Sequence, residues 1–366
     1  MKKVLHYKTN FLNKSETFID RLIRNHDRYQ PVALCYRKKK FTENLTIFEV
    51  PRSGFQSWVN FAAFHANLPL PYYTRILKQE RPQIVHAHFG YDAVKLIKPT
   101  HNCNIPLLVS FYGTDVSRLP SEFGWKSRYR KLAEKAAHFI AASGFMKNQL
   151  IDLGFPQQKI SIVRFGLDLN GTCFDDQPPL EHKIMMVGRM VEKKGFEYGL
   201  RAIAKLRDRD LKPEVNIYGY GPEMERLKKM SANLGLNDQI NFLGYQPIEK
   251  IFEAHHEHTI MLAPSTTADD GDMEGLPNTI LEAMAQGTTV VATNHAAIPE
   301  VIEDKKTGFL VDERDPDSLA RAVEKIIRGD FDLQSIRQNA RHEIEKSYGV
   351  GRMVREVETI YDKVAN

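Results

Sequence analysis

Residues 184–195 read Ile-Met-Met-Val-Gly-Arg-Met-Val-Glu-Lys-Lys-Gly. The first four form an apolar run of the length of a buried strand, and Gly188 breaks it where a turn has to follow. A helical pattern comes next, so the stretch reads as strand, loop and helix. The same alternation continues downstream, with apolar runs at 215–218, 240–243, 260–263, 289–292 and 309–311. An earlier series lies at 4–7, 32–36, 45–50, 84–88, 107–111, 139–142 and 160–165. Two successive sets of strands spaced by loops or helices imply an α/β protein of two Rossmann-like domains, each with a parallel sheet, facing a central cleft. Gly171, Pro178 and Pro179 interrupt regular structure between the two series. The expected domains are therefore residues 1–166 and 167–347, with a last helix, 348–366, able to pack back on the first.

A chain of 366 residues with 42% hydrophobic and 27% charged residues suits a globular protein of that organisation. Lys2 and Lys3 resemble the start of a signal peptide, but His6, Lys8, Asn10, Asn13 and Lys14 interrupt any apolar run, and no secretory segment is expected. Cys35, Cys103 and Cys173 are odd in number and scattered, as reduced thiols of a cytoplasmic protein are. Residues 1–165 hold 26 Lys or Arg against 11 Asp or Glu, a balance of +15, whereas residues 166–366 hold 25 against 35, a balance of −10. The basic half is either a solvated face or a surface for an anionic partner. It carries no recognisable nucleic-acid-binding module, so an anionic membrane surface is the expected partner.

Residues 272–282 read Asp-Met-Glu-Gly-Leu-Pro-Asn-Thr-Ile-Leu-Glu. Turn residues give way to strong helix formers, so a helix should begin near Pro277 and present free amides to the preceding loop. Such a terminus attracts phosphate. Eight helical steps would set Glu274 and Glu282 about 12 Å apart on nearly one face. That spacing suits a nucleotide sugar, with hydroxyls at both ends and phosphates between, or else marks a capped helix with two solvated acids. Residues 251–300 contain no Lys or Arg, which leaves Arg189 and Lys194 as the cations for a diphosphate.

Several other features admit two readings. Ser15 and Glu16 follow the first strand and either cap a helix at 18–26 or meet a ligand. The aromatics of 55–68, Phe55, Trp58, Phe61 and Phe64, recur at three-residue steps as core residues usually do, or as a lipid-facing helix would. His86 and His88 share one face of a strand end; without a third ligand in view they read as hydrogen-bonded side chains and not as a metal pair. Asp270-Gly271-Asp272 spells a D-x-D, but in the second of two Rossmann-like halves no metal is expected. The turn after 107–111, Tyr112 to Asp115, should offer polar groups to the cleft.

In order, G-R-M-V-E-K-K-G, I-Y-G-Y-G-P, F-L-G-Y, E-G-L-P-N-T-I-L-E and A-I-P-E-V-I resemble glycosyltransferase family four over nearly the whole chain. K-S-E-T-F-I and A-D-D-G-D-M-E-G-L-P most resemble members that build bacterial exopolysaccharides of the colanic-acid or amylovoran type. The resemblance implies a GT-B fold and a retaining, metal-independent hexosyltransferase that uses a UDP- or GDP-sugar and needs no cofactor. It implies that Arg189 and Lys194 bind the donor diphosphate, Glu274 the donor sugar and Glu282 the ribose. Gly275, Leu276, Pro277 and Asn278, with Gly219 and Tyr245, complete the donor side. Ser15, Glu16, His88 and Asp115 stand on the acceptor side, and Tyr112 stands where many relatives have His. The +15 balance of the first half, the aromatics of 55–68 and the basic runs at 37–40 and 126–135 lead us to expect as acceptor a polyprenyl-diphosphate-linked saccharide at the inner face of the cytoplasmic membrane. Alternatives are a sugar-nucleotide epimerase of the same fold, or a non-catalytic nucleotide-sugar-binding partner of a polysaccharide assembly complex.

Overall fold

The structure, a computed structural model, describes residues 1–12, 16–39, 44–51, 55–65, 70–170, 172, 174 and 182–365. The chain divides into two compact units, one of Met1–Leu167 with Val350–Asn366 and one of Asp168–Gly349.

Strands of the first unit are β1 (Lys2–Tyr7), β2 (Asn10–Phe11), β3 (Tyr29–Cys35), β4 (Arg37–Lys38), β5 (Thr46–Glu49), β6 (Ile84–His88), β7 (Leu107–Phe111), β8 (His138–Ala141) and β9 (Ile160–Ile162). Seven of them form a parallel sheet in the order β5-β3-β1-β6-β7-β8-β9, and β2 and β4 make a separate short ladder. Strands β6, β7 and β8 are buried along their whole length, which is why they read as apolar runs without alternation. The C-terminal helix Val350–Ala365 belongs to this unit. Its Met353, Val354, Val357, Ile360 and Tyr361 pack with Val4, Leu22, Tyr29, Ile84 and Leu108 in one core.

The second unit has β10 (Ile184–Val187), β11 (Val215–Tyr218), β12 (Ile240–Gly244), β13 (Ile260–Ala263), β14 (Thr289–Thr293) and β15 (Phe309–Val311). They form a parallel sheet in the order β12-β11-β10-β13-β14-β15. Strand order therefore reverses between β10 and β13 here and between β1 and β6 in the first unit. At such a switch point the loops leaving two adjacent strands part in opposite directions and open a crevice at their C-terminal ends.

The expected core role of the 55–68 aromatics does not hold for the two whose side chains are described. On helix Phe55–His65, Trp58 is 77% and Phe61 54% exposed. Among the described residues no helix is long and apolar enough to cross a membrane.

Candidate active site

The switch point of the second unit is assembled by glycines. Gly195, at φ 63°, ends the loop after β10, and a Cβ there would lie 1.8 Å from the carbonyl oxygen of Pro264, just beyond β13. Gly219, at φ 137°, lets the turn after β11 press equally close to Gly188. With no side chain at either position, the three loops converge. A depression lined by Val187, Lys194, Ser265, Pro277 and Thr279 opens there.

Two adjacent lysines on the loop after β10 take different roles. Lys193 is buried, its Nζ donating to an Asp272 oxygen at 3.1 Å and to the Met273 carbonyl at 3.0 Å. It fastens the loop that precedes helix Asn278–Gln286. Lys194 is half-buried and points its Nζ to within 3.3 Å of Glu274 Oε2. Glu274 is buried, and its other oxygen, 3.9 Å from Lys193, accepts no hydrogen bond among the described residues. Burial pushes the Glu274 carboxyl up, but the ammonium of Lys194 and then that of Lys193 more than offset it, holding the group below its ordinary value. Glu274 is an ionised acceptor at neutral pH.

Behind it stands a second set of groups. The Glu274 backbone N–H donates to His295 Nε2 at 3.2 Å, and His295 Nδ1 donates to Glu313 Oε1 at 2.6 Å. Glu313 Oε2 in turn accepts from the Thr267 N–H and the Thr266 hydroxyl. Two residues at the ends of β14 and β15 thus fix the backbone that carries Glu274.

Pro277 is the N-cap of helix Asn278–Gln286, and no side chain caps that end. Glu274 lies in the loop, so the eight helical steps between Glu274 and Glu282 reduce to the four from Asn278, and the 12 Å spacing has no basis. Glu282 sits buried on the second turn. Asp272 is paired to Lys193, and Asp270 accepts the Asp272 N–H as a turn does. Arg189 is exposed, as is Tyr245 just after β12.

In the first unit the acceptor-side residues behave differently from the sequence reading. Asp115 is fully buried, its oxygens accepting the N–H groups of Gly90, Tyr112 and Gly113, so it clamps turns and offers nothing outward. Glu16 is buried and paired with Lys8 at 3.1 Å. Ser15 lies outside the described residues. Tyr112 follows β7, half-buried among Phe18, Phe89 and Phe165, with its hydroxyl 2.7 Å from His88 Nδ1. His88 is fully buried, and the third histidine missing from the sequence reading is His6. Ring nitrogens of His6, His86 and His88 lie within 4.8 Å of one another, close enough for a metal. Each of those nitrogens nevertheless has a hydrogen-bonding partner: His6 joins His88 and His26, and His86 joins Tyr361 and Ser110. Lys8, Lys193, His6 and His295 escaped the sequence reading. Only Lys193, beside Lys194, had a local signal.

The model for glycosyl transferases group 1 matches residues 176–343, and that for glycosyltransferase family 4 matches residues 16–170. The chain is 30% identical to the amylovoran biosynthesis glycosyltransferase AmsK of Erwinia amylovora, covering 92% of this chain and 82% of that protein. It is likewise 30% identical to the putative colanic acid biosynthesis glycosyltransferase WcaL of Escherichia coli K12, over 76% and 70%. Among solved structures, Anabaena Alr3699/HepE in complex with UDP superposes with a TM-score of 0.81 at 17% identity, covering 99% of this chain and all of that one. A Rickettsia africae glycosyltransferase gives 0.78 at 20% identity over 99% and 98%. The fold is GT-B. The chain belongs to glycosyltransferase family four and is a glycosyltransferase.

Proposed function

We propose that the protein moves a hexose from a UDP- or GDP-sugar to a saccharide acceptor during exopolysaccharide biosynthesis, with retention at the anomeric carbon and without a metal ion. The observation that carries this reading is the meeting of Lys194 and Glu274 at the switch point beside the uncapped helix Asn278–Gln286. A diphosphate suits that helix end and Lys194, with Arg189 as a second cation. The sugar it bears then lies against Glu274, and the ribose against Glu282. The named roles of the amylovoran and colanic acid relatives support the product class, and the UDP bound by the Anabaena protein supports the donor class.

In the reaction the bond from C1 to the diphosphate oxygen breaks while the acceptor oxygen bonds to C1 from the same face. The acceptor proton passes to the departing phosphate oxygen. No protein nucleophile is needed; the chain positions two substrates and stabilises the charge gathering on the leaving group. Incubation with a panel of nucleotide sugars and saccharide acceptors should release nucleoside diphosphate together with a lengthened saccharide. An epimerised donor, or binding without turnover, would overturn this reading.

Chelation is expected to leave the rate unchanged, because the Asp272 carboxylate is engaged by Lys193 and Asp270 by a turn. Loss of activity in EDTA, restored by manganese or magnesium, would assign that D-x-D to a metal. We take the acceptor to be polyprenyl-diphosphate-linked, met at the inner face of the cytoplasmic membrane. Exposed Trp58, Phe61 and Phe123, with exposed Lys126, Arg130, Lys131 and Lys135, support a lipid-facing surface on the basic half. Each such cation adds about 1 kcal/mol of attraction to anionic lipid. Sedimentation should show binding to anionic vesicles that salt reverses; equal, negligible binding to anionic and neutral vesicles would remove the membrane from the proposal. Tyr112 is assigned to the acceptor hydroxyl. Tyr112→Phe is expected to lower turnover less than Glu274→Ala, since burial raises the phenol further above neutrality and makes it a poor base.

A further inference from the structure

Four buried histidines of the first unit deserve a role beyond filling space. Glu358, on the C-terminal helix, accepts from the backbone N–H of Asp27 and Arg28 at 2.9 and 3.0 Å and faces His26 Nδ1 at 3.1 Å. His26 Nε2 lies 3.0 Å from His6 Nε2, His6 Nδ1 lies 3.0 Å from His88 Nε2, and His88 Nδ1 lies 2.7 Å from the Tyr112 hydroxyl. We infer that Glu358, His26, His6 and His88 form a one-way hydrogen-bond relay that makes Tyr112 donate its O–H inward, so that its oxygen meets the Ser110 hydroxyl and an acceptor hydroxyl through lone pairs only. The functional half of this inference rests on the assignment of Tyr112 to the acceptor side.

The direction follows from counting protons. An ionised carboxylate can only accept, and a neutral imidazole carries one N–H and one lone pair. Glu358 is anchored as that acceptor: burial pushes its carboxyl up, but the N–H groups of Arg28 and Asp27 and the His26 ring more than offset this. His26 must then hold its proton on Nδ1 and accept at Nε2. His6 has to donate from Nε2 and accept at Nδ1. His88 has to donate from Nε2 and accept at Nδ1, where only the phenolic proton of Tyr112 remains to be given. Burial lowers His6, His26 and His88, which keeps all of them neutral. His86 is the built-in contrast. Its two nitrogens face the hydroxyls of Tyr361 and Ser110, each able to donate or accept, so no tautomer is imposed on it.

Glu358, His26, His6 and His88 are positioning residues that act through Tyr112, and ring-nitrogen NMR of the full chain labelled with 15N-histidine at neutral pH tests them. The expected pattern is N–H on Nδ1 of His26 and on Nε2 of both His6 and His88. Glu358→Ala should let His88 populate both tautomers although it lies three hydrogen bonds away, while Glu358→Gln, whose amide oxygen still accepts from the Asp27 and Arg28 amides, should restore the original pattern. A purely structural Glu358 would leave the His88 tautomer unmoved. The opposite tautomer at any of the three rings in the unmodified protein, a cationic ring, or one zinc ion bound by His6, His86 and His88 would overturn the relay without recourse to any variant. These signals report the relay whether or not sugar is transferred; failure of transfer in the nucleotide-sugar panel, with the tautomers as expected, would remove only the role assigned to Tyr112.

Discussion

Lys194→Ala is expected to slow turnover of the nucleotide sugar by at least about a hundredfold, equivalent to about 3 kcal/mol of transition-state stabilisation at about 1.4 kcal/mol per factor of ten. The size follows from where the ammonium stands. It is half-buried and 3.3 Å from a buried carboxylate, at the position proposed for the leaving diphosphate. Stability should fall as well, because the buried Glu274 carboxylate loses the nearer of its two ammonium groups, while the loop itself stays tied down by the neighbouring Lys193 through Asp272 and the Met273 carbonyl. Lys193→Ala acts first on the fold: it releases the loop from both Asp272 and the Met273 carbonyl, so it should lower the melting temperature more than Lys194→Ala does, and the rate with it. Arg189→Ala, on the exposed side of the same loop, is expected to slow turnover without touching stability. Initial rates and calorimetric melting temperatures for the three variants decide the matter; near-normal turnover in both Lys194→Ala and Arg189→Ala would remove the diphosphate role.

The fold was legible because its signals are local. All thirteen apolar runs read from the sequence are strands of the two main sheets, with ends that shift by at most a few residues, as where 160–165 stops at Ile162. Pro277 marked the start of its helix correctly because a proline at that point restricts the chain itself. The site was legible only in part. Lys193 and Lys194 are neighbours of identical chemistry, and only the short helical turn at Glu192–Lys194 decides that one faces inward and the other toward Glu274. Asp115 was read as an outward polar group, yet its carboxylate is spent on three backbone amides that no spacing rule brings together. His6 meets His88 across the switch point of the first sheet, and Glu358 reaches His26 from the far end of the chain. Contacts of that separation depend on strand order, which a parallel sheet sets by its crossovers and not by any local pattern. Trp58 and Phe61 had the spacing of a core helix, but burial also requires something to cover them.

Acidification from pH 7.5 to pH 5 is expected to lower the melting temperature of the first unit by more than about 4 °C, against the opposing effect of the Asp115 carboxyl, which burial pushes up. Burial pushes His86 down to about 3, whereas an unfolded chain binds a proton near pH 6.5. Between those values the unfolded state holds a proton that the folded state lacks, so stability is full above pH 6.5 and is lost progressively as pH falls toward 3. At pH 5 the difference is about 1.5 units, or about 2 kcal/mol from this one side chain, and each kcal/mol is roughly 2–4 °C for a unit of this size. His6, His26 and His88 are lowered by burial in the same core and act in the same direction, as does His138, pushed down to about 4. Glu274, Glu313 and Glu358 are held below the ordinary carboxylate value, so their contribution is lost only below about pH 4.5, outside this interval. In the second unit His255, pushed down to about 3, and His258, also lowered by burial, act in the same direction, but they are two against the five lowered rings of the first unit, so the first unit should melt earlier of the two as pH falls. Calorimetry of the full chain at several pH values between 7.5 and 5 reads this directly. A melting temperature that stays flat to pH 5 would mean that the histidine cluster is already protonated, or open to water, in the folded protein.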